Sequence, residues 1–391
     1  MKRIAIFCDG TWNRHDSKSQ TNVVRMARAV KQTADDKISQ QIFYFMGVGS
    51  GRGSNALARF TDRAMGGALG WGLIQNIEDA YRSLVFSYEP GDEIYIFGFS
   101  RGAYTARSLA GLLRAVGICP RENAHRIPEA IEEYRRPKHD IRDANHPSKF
   151  LWRAEFAPDT ATTPEELAWR QKSRPGNPVL LDIKFLGVWD TVGAMGVPGY
   201  WMAAPLLNSR HQFHDTELSE TVKSARHAVA LDERRKTFPP TQWSNLEFLN
   251  AKRLGLPTDL PLDPDTAPNW DYREEWFPGD HGSIGGGGDQ RGLAAYSFDW
   301  VAEGAQAAGL DLRPEVRARI EKQRNILGPL NATTRPRLPN KLLALSSKDR
   351  DGPHDLCCVA DAARERFAKT AGAYQPGALR WVIARLQALL S

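Results

Sequence analysis

Through the first third of the chain, short unbroken apolar runs alternate with segments whose apolar residues recur at helical spacing. Ile4–Cys8 is a continuous apolar run closed by Asp9 and Gly10, the pattern of a parallel strand buried on both faces. Val23, Val24, Met26, Ala27 and Val30 then mark a helix within Asn22–Gln32. Gln41–Val48 repeats the strand pattern and ends in Gly49-Ser50-Gly51. Gly70–Ser87 carries Trp71, Ile74, Ile77, Ala80, Tyr81 and Leu84 on one helical side. Glu93–Gly98 is a third strand, followed by an apolar helix over Ala103–Val116 with Gly117 as its C-terminal cap. This alternation predicts an α/β fold with a mostly parallel central sheet and helices on both faces.

The rhythm changes at Pro120. From there to Asn177 the chain is polar, charged and punctuated by Pro137, Pro147, Pro158, Pro164 and Pro175. That composition predicts a helical and loop insertion over residues 120–177, lying on the sheet as a lid within one domain spanning 1–391. Leu180–Val188 returns to strand character and ends at Trp189-Asp190; Glu275–Phe277 is a further short strand leading to Asp280-His281. His227 opens a helix-like pattern over Ala228–Asp232, and Leu379–Leu390 is amphipathic. Pro198–Leu207, which contains Trp201 and Met202, reads as an apolar loop able to roof a pocket.

Composition narrows the function classes. Of the 391 residues, 41% are hydrophobic and 25% charged, as in a globular protein with a substantial core. The net charge of +6 is interspersed with acids, so no basic stripe points to nucleic acid. Cys8, Cys119, Cys357 and Cys358 offer neither a disulfide framework nor zinc-ligand spacing, and reduced thiols are expected. No metal site and no cofactor is implied. No apolar stretch reaches the roughly 18 residues of a membrane span, and the N-terminus lacks a signal-peptide pattern. The expected location is the cytoplasm, with export by a dedicated secretion system compatible with that.

The strongest chemical signal is Gly98-Phe99-Ser100-Arg101-Gly102 between the Ile94–Phe97 strand and the helix beginning at Ala103. A sharp strand-to-helix turn lifts a serine hydroxyl above the sheet edge, and flanking glycines relieve the crowding there. Ser100 is therefore the candidate nucleophile. A serine needs a base and the base an orienting acid, in the chain order Ser, acid, His. Asp190, at the end of a strand, is the leading acid, with Asp232, Asp280 and Asp289 as alternatives. His281 is the leading base and His227 the alternative; His211 and His214 lie in a polar loop, and His15 precedes the serine. The oxyanion hole is expected from the Arg101 N–H and a second donor at Gly10 or Thr11. A phosphatase of the haloacid-dehalogenase type would need an aspartate two residues before Asp9, where Phe7 stands.

Phe7–Asn13, Gly98–Ala103, Gly187–Gly193, His227–Arg234 and Trp276–His281 followed by glycines occur in that order. This chain resembles the uncharacterised α/β-hydrolase family that includes the catalytic domains of type VI secretion phospholipase effectors. The resemblance implies an α/β-hydrolase fold and lipase or esterase chemistry with Ser100 as nucleophile. It departs from the commoner family form after the histidine, where Gly282-Ser283-Ile284-Gly285 replaces Ser-Asp-Val. The expected activity is hydrolysis of carboxylic esters, lipid or small-molecule, through an acyl-enzyme, with peripheral membrane contact compatible with such a substrate. Acyl transfer from the same triad, or a catalytically silent binding module, are the competing readings.

Overall fold

The computed structural model describes residues 1–10, 13, 19–47, 66–136, 147–173, 176–193, 217–288, 291–330 and 347–389. Six strands form one fully parallel sheet: β1 (Arg3–Cys8), β2 (Gln40–Phe45), β3 (Glu93–Phe99), β4 (Ile183–Trp189), β5 (Ala225–Ala230) and β6 (Tyr272–Phe277), in the order β2-β1-β3-β4-β5-β6. The fold is α/β-hydrolase-like.

Helices cover both faces because successive strand residues point to opposite sides. Ile4, Ile6, Ile94 and Ile96 face α2 (Gly66–Ser87), α3 (Arg101–Val116) and α4 (Ile127–Arg135), in a cluster that includes Ile77, Leu84, Leu109 and Leu113. Ala5, Phe7, Tyr95, Phe97 and Phe185 face the other way, with Val23 and Met26 of α1 (Asn22–Ala29) and Phe298 and Val301 of a long helix, Ala294–Ala307. Each such aliphatic or aromatic side chain contributes roughly 1.5–3 kcal/mol by leaving water.

Where it is described, the 120–177 insertion is mostly helical, with a short strand at Thr160–Ala161 that pairs in parallel with Val179–Leu180. It includes α4, α5 (Pro147–Phe156) and α6 (Pro164–Ser173). Ile127, Ala130, Ile131 and Phe156 join the α2/α3 core, which makes these pieces part of that layer. Glu166 is fully buried between Arg153 and Arg170, tying α5 to α6.

One expectation is corrected. His227 belongs to the interior strand β5, not to a helix. A short apolar run buried on both faces has no period of its own, so Ala228–Ala230 fits either element until its neighbours pair with it.

The strand order sets the place of the site. From β1 the chain runs outward to β2, then crosses back to β3 on the other side, so the connections leaving the carboxyl ends of β1 and β3 turn to opposite faces of the sheet. Ligands of open parallel sheets bind in the crevice at such a point. Ser100 follows β3 and Asp9-Gly10 follow β1.

Candidate active site

Ser100 sits between β3 and α3 with φ 59° and ψ −126°, a conformation rarely adopted by a residue with a side chain. The turn closes because both flanking positions lack a Cβ. A Cβ on Gly102 would stand 2.2 Å from the Cys8 carbonyl oxygen, and one on Gly98 would stand 2.4 Å from the Gly102 oxygen. Sequence thus dictates backbone contact between the β1 end and the α3 start, and that contact presents the Ser100 side chain.

His281 opens α8 (His281–Gly285), counting Leu246–Leu254 as α7. Asp280 caps this helix through the Ser283 N–H at 2.8 Å. His281 Nε2 lies 2.8 Å from Ser100 Oγ, and its Nδ1 lies 2.6 Å from Asp190 Oδ2. Phe99 and Phe238 flank the imidazole, with ring centroids 4.7 and 4.9 Å away. The His281 backbone N–H donates to Glu233 Oε2 at 3.3 Å, and Glu233 is itself gripped by Arg235 at 2.7 and 2.8 Å. Burial works to raise the Glu233 carboxyl, but Arg235 outweighs it and holds it below the usual carboxylate range.

Asp190 leaves β4 with φ 39° and is completely buried. Burial alone would favour its neutral form, yet Arg350 and His281 hold the carboxyl well below its ordinary range. Arg350 Nη1 lies 2.6 Å from Oδ1 and Nη2 lies 3.0 Å from Oδ2, while the Ala230 N–H also donates to Oδ1 at 2.9 Å. With Asp190 ionised, the His281 Nδ1–H is the donor and Nε2 is left as an acceptor facing the serine hydroxyl. Such an arrangement can move a proton from Ser100 Oγ to the ring.

The other candidates fall elsewhere. His227 is fully buried; its Nδ1 meets Glu274 Oε2 at 2.7 Å and its Nε2 accepts the Thr191 N–H at 3.1 Å. It holds the residue after Asp190 and leaves no ring nitrogen for Ser100. Asp232 accepts from the Gly279 N–H and the Tyr374 hydroxyl. Thr11, His15, His211, His214, Asp289 and the Trp201-Met202 loop lie outside the described residues.

For the oxyanion hole, Arg101 is the first residue of α3, so its N–H has no carbonyl one turn earlier in the helix. Gly10 lies against the serine, its hypothetical Cβ 3.1 Å from Ser100 Cβ. The Gly10 N–H, however, donates to Asp9 Oδ1 at 2.7 Å. Asp9 also accepts from Thr21 at 2.9 Å and Tyr44 at 2.6 Å; burial outweighs these bonds and pushes its carboxyl up to about 6.

No group of three or more His, Cys, Asp or Glu side chains is placed to hold a metal ion among the described residues. No helix among them is long and apolar enough to cross a membrane.

Residues 2–304 match the family described as the catalytic domain of Tle1-like phospholipase effectors of the type VI secretion system. The chain belongs to this family. Ser100, Asp190 and His281 all fall inside the matched region. Arg350 falls outside it. An uncharacterized protein of Saccharomyces cerevisiae, YEL023C, is 29% identical over 256 residues, covering 63% of this chain and 33% of its own length. A crystal structure of an uncharacterized protein from Pseudomonas aeruginosa aligns with TM-score 0.43 and 18% identity, over 94% of this chain and 53% of that one. The Tle1 effector bound to the VgrG spike aligns with TM-score 0.35 and 18% identity, over 75% and 53%. This chain thus spans about a third to a half of the length of these relatives.

Arg350, Glu233 and Arg235 were not singled out from the sequence. The run Asp232-Glu233-Arg234-Arg235 after an apolar strand was the signal for the last two. Nothing local distinguishes Arg350.

Proposed function

We propose that this Tle1-like chain is a serine hydrolase that cleaves the carboxylic esters of lipids through an acyl-enzyme. The observation that carries the reading is the continuous path from Ser100 Oγ to His281 at 2.8 Å and on to Asp190 at 2.6 Å. Ser100 Oγ attacks the ester carbonyl while His281 Nε2 takes its proton, and Asp190 stabilises the imidazolium that forms. His281 returns the proton to the departing alcohol, leaving Ser100 acylated. Water then enters on the same path and releases the fatty acid. The Arg101 N–H supplies one donor to the tetrahedral oxyanion. The Gly10 N–H is engaged by Asp9 and would have to leave it to serve as the second donor.

A phospholipid is the lipid class favoured here. The Arg101 guanidinium is desolvated, which pushes its pKa below the ordinary value, and it makes no ion pair among the described residues. A phosphate on the substrate would give this cation a counter-charge, which none of the described residues supplies.

The test is fluorophosphonate labelling of wild type and Ser100→Ala, followed by turnover of p-nitrophenyl esters and a phospholipid panel. Labelling lost in folded Ser100→Ala, with ester turnover in wild type, supports the reading. Unlabelled folded wild type, or equal labelling of the variant, overturns it.

A further inference from the structure

Asp190 and His281 both come from the ends of sheet strands, but the group that grips Asp190 comes from 160 residues further along the chain. Arg350 lies on a segment after residue 346 that runs beside the end of β5. Ser347 bridges Arg235, and the Lys348 N–H donates to the Arg234 carbonyl at 2.8 Å. The backbone is held from the opposite side, where Arg380 Nη1 donates to the Arg350 carbonyl at 2.9 Å. The Arg350 guanidinium is buried, with Nη1 also reaching the Ala230 carbonyl at 3.1 Å and Nη2 the Phe238 carbonyl at 2.8 Å. It therefore spans three elements of the site at once: the Asp190 turn, the end of β5, and the segment whose Phe238 ring packs on His281.

We infer that Arg350 is a positioning residue for hydrolysis, clamping both oxygens of Asp190 and moderating the negative charge that His281 meets. The inference rests on the Ser100-His281-Asp190 reading above. Its physical basis is geometric and electrostatic. A planar guanidinium matched to a carboxylate by two bonds leaves the carboxylate little rotational freedom, so Oδ2 stays aimed at Nδ1. A cation sharing the same carboxylate also weakens the pull of Asp190 on a proton arriving at the ring. Among the described residues, the other charged groups around this pair are Glu233, through the His281 backbone N–H, Arg235 beside Glu233, and Asp280 at the helix cap. None of these groups bonds to Arg350, whose partners are Asp190, Ala230, Phe238 and Arg380.

The test compares Arg350→Met and Arg350→Lys with wild type and Ser100→Ala, using pH profiles of kcat and kcat/KM on a p-nitrophenyl ester. In Arg350→Met, kcat is expected to fall about tenfold to a hundredfold with KM little changed, as for a misaimed catalytic group. The acidic limb of kcat/KM is expected to move up by about one pH unit, because the uncompensated carboxylate holds the imidazolium proton more tightly. Arg350→Lys keeps the charge and loses the fork, so its limb stays with wild type while kcat falls by an intermediate factor. An unmoved limb in Arg350→Met that is folded at the assay temperature overturns the inference. If Arg350→Met does not fold, Arg350→Lys decides, and wild-type kcat there overturns the clamp. Activity surviving in Ser100→Ala would instead bring down the underlying site reading, an outcome distinct from either Arg350 result.

Discussion

The Thr191 backbone N–H donates to Nε2 of His227 at 3.1 Å, so a histidine on an interior strand holds the residue next to Asp190. Its other ring nitrogen is spent on Glu274 at 2.7 Å. His227→Ala is expected to leave a buried N–H and part of a carboxylate unpaired, lowering stability by about 2–4 kcal/mol. Fluorophosphonate labelling below the lowered melting temperature should still occur. In His281→Ala, labelling should vanish while the melting temperature changes less. Thermal melts and labelling of the two variants separate a supporting histidine from a base.

Asp190 and Arg350 form a buried pair with little solvent contact. Asp190→Asn should lower kcat/KM by about three to four orders of magnitude, since an amide no longer selects the Nδ1–H tautomer. It also leaves Arg350 without its counter-charge, at a cost of about 3–5 kcal/mol. The native carboxyl sits well below its unfolded range, so its contribution is present above about pH 4 and is lost as pH falls further. Denaturant titrations of both proteins at pH 7 and near pH 3 should show the gap narrowing in acid.

Asp9 has the opposite sign. Its folded carboxyl is pushed up to about 6, above the unfolded value of about 3.9, so the folded state holds the proton more tightly. Its contribution is therefore full below about pH 4 and is lost as pH rises through 6. Over that window the loss is on the order of 2–3 kcal/mol. Asp9→Asn removes the titration, so its stability relative to wild type should improve from pH 4.5 to pH 7. A constant difference between the two proteins across that range would refute the assignment.

Gly102 is where the first strand and the nucleophile turn touch. A Cβ there would stand 2.2 Å from the Cys8 oxygen and 2.4 Å from the Asp9 oxygen, both backbone atoms that no rotamer can move. Gly102→Ala should cost several kcal/mol and abolish soluble expression or labelling. Ser100→Ala, which adds nothing to the turn, should express normally.

Arg101 tests the substrate class. Arg101→Met should lower kcat/KM for a phospholipid about tenfold more than for an uncharged ester, the loss expected of a charge-assisted contact. Equal losses on both substrates would remove phosphate recognition from its role.

Most of the sheet was legible because each strand reads locally. Ile4–Cys8, Glu93–Gly98 and Leu180–Val188 are apolar runs closed by turn residues, and the structure builds β1, β3 and β4 from them. The candidates Ser100, Asp190 and His281 were legible for a related reason. Each follows the carboxyl end of a strand, where a parallel sheet collects its chemistry, and their order along the chain matches the triad pattern.

What the sequence by itself determined, then, is a parallel α/β sheet and three polar residues at its strand ends, since both are written in short-range pattern. Only the tertiary structure decided that His227 lies in a strand, because a doubly buried run has no period and is defined by its neighbours. Only it decided that His281 and not His227 faces Ser100, and that Asp9 occupies the Gly10 N–H. And only it brought Arg350 to Asp190, since an arginine in a polar segment carries no local mark of the carboxylate it meets 160 residues away. Pairings of that kind depend on chain closure over long distances, which composition and periodicity do not encode.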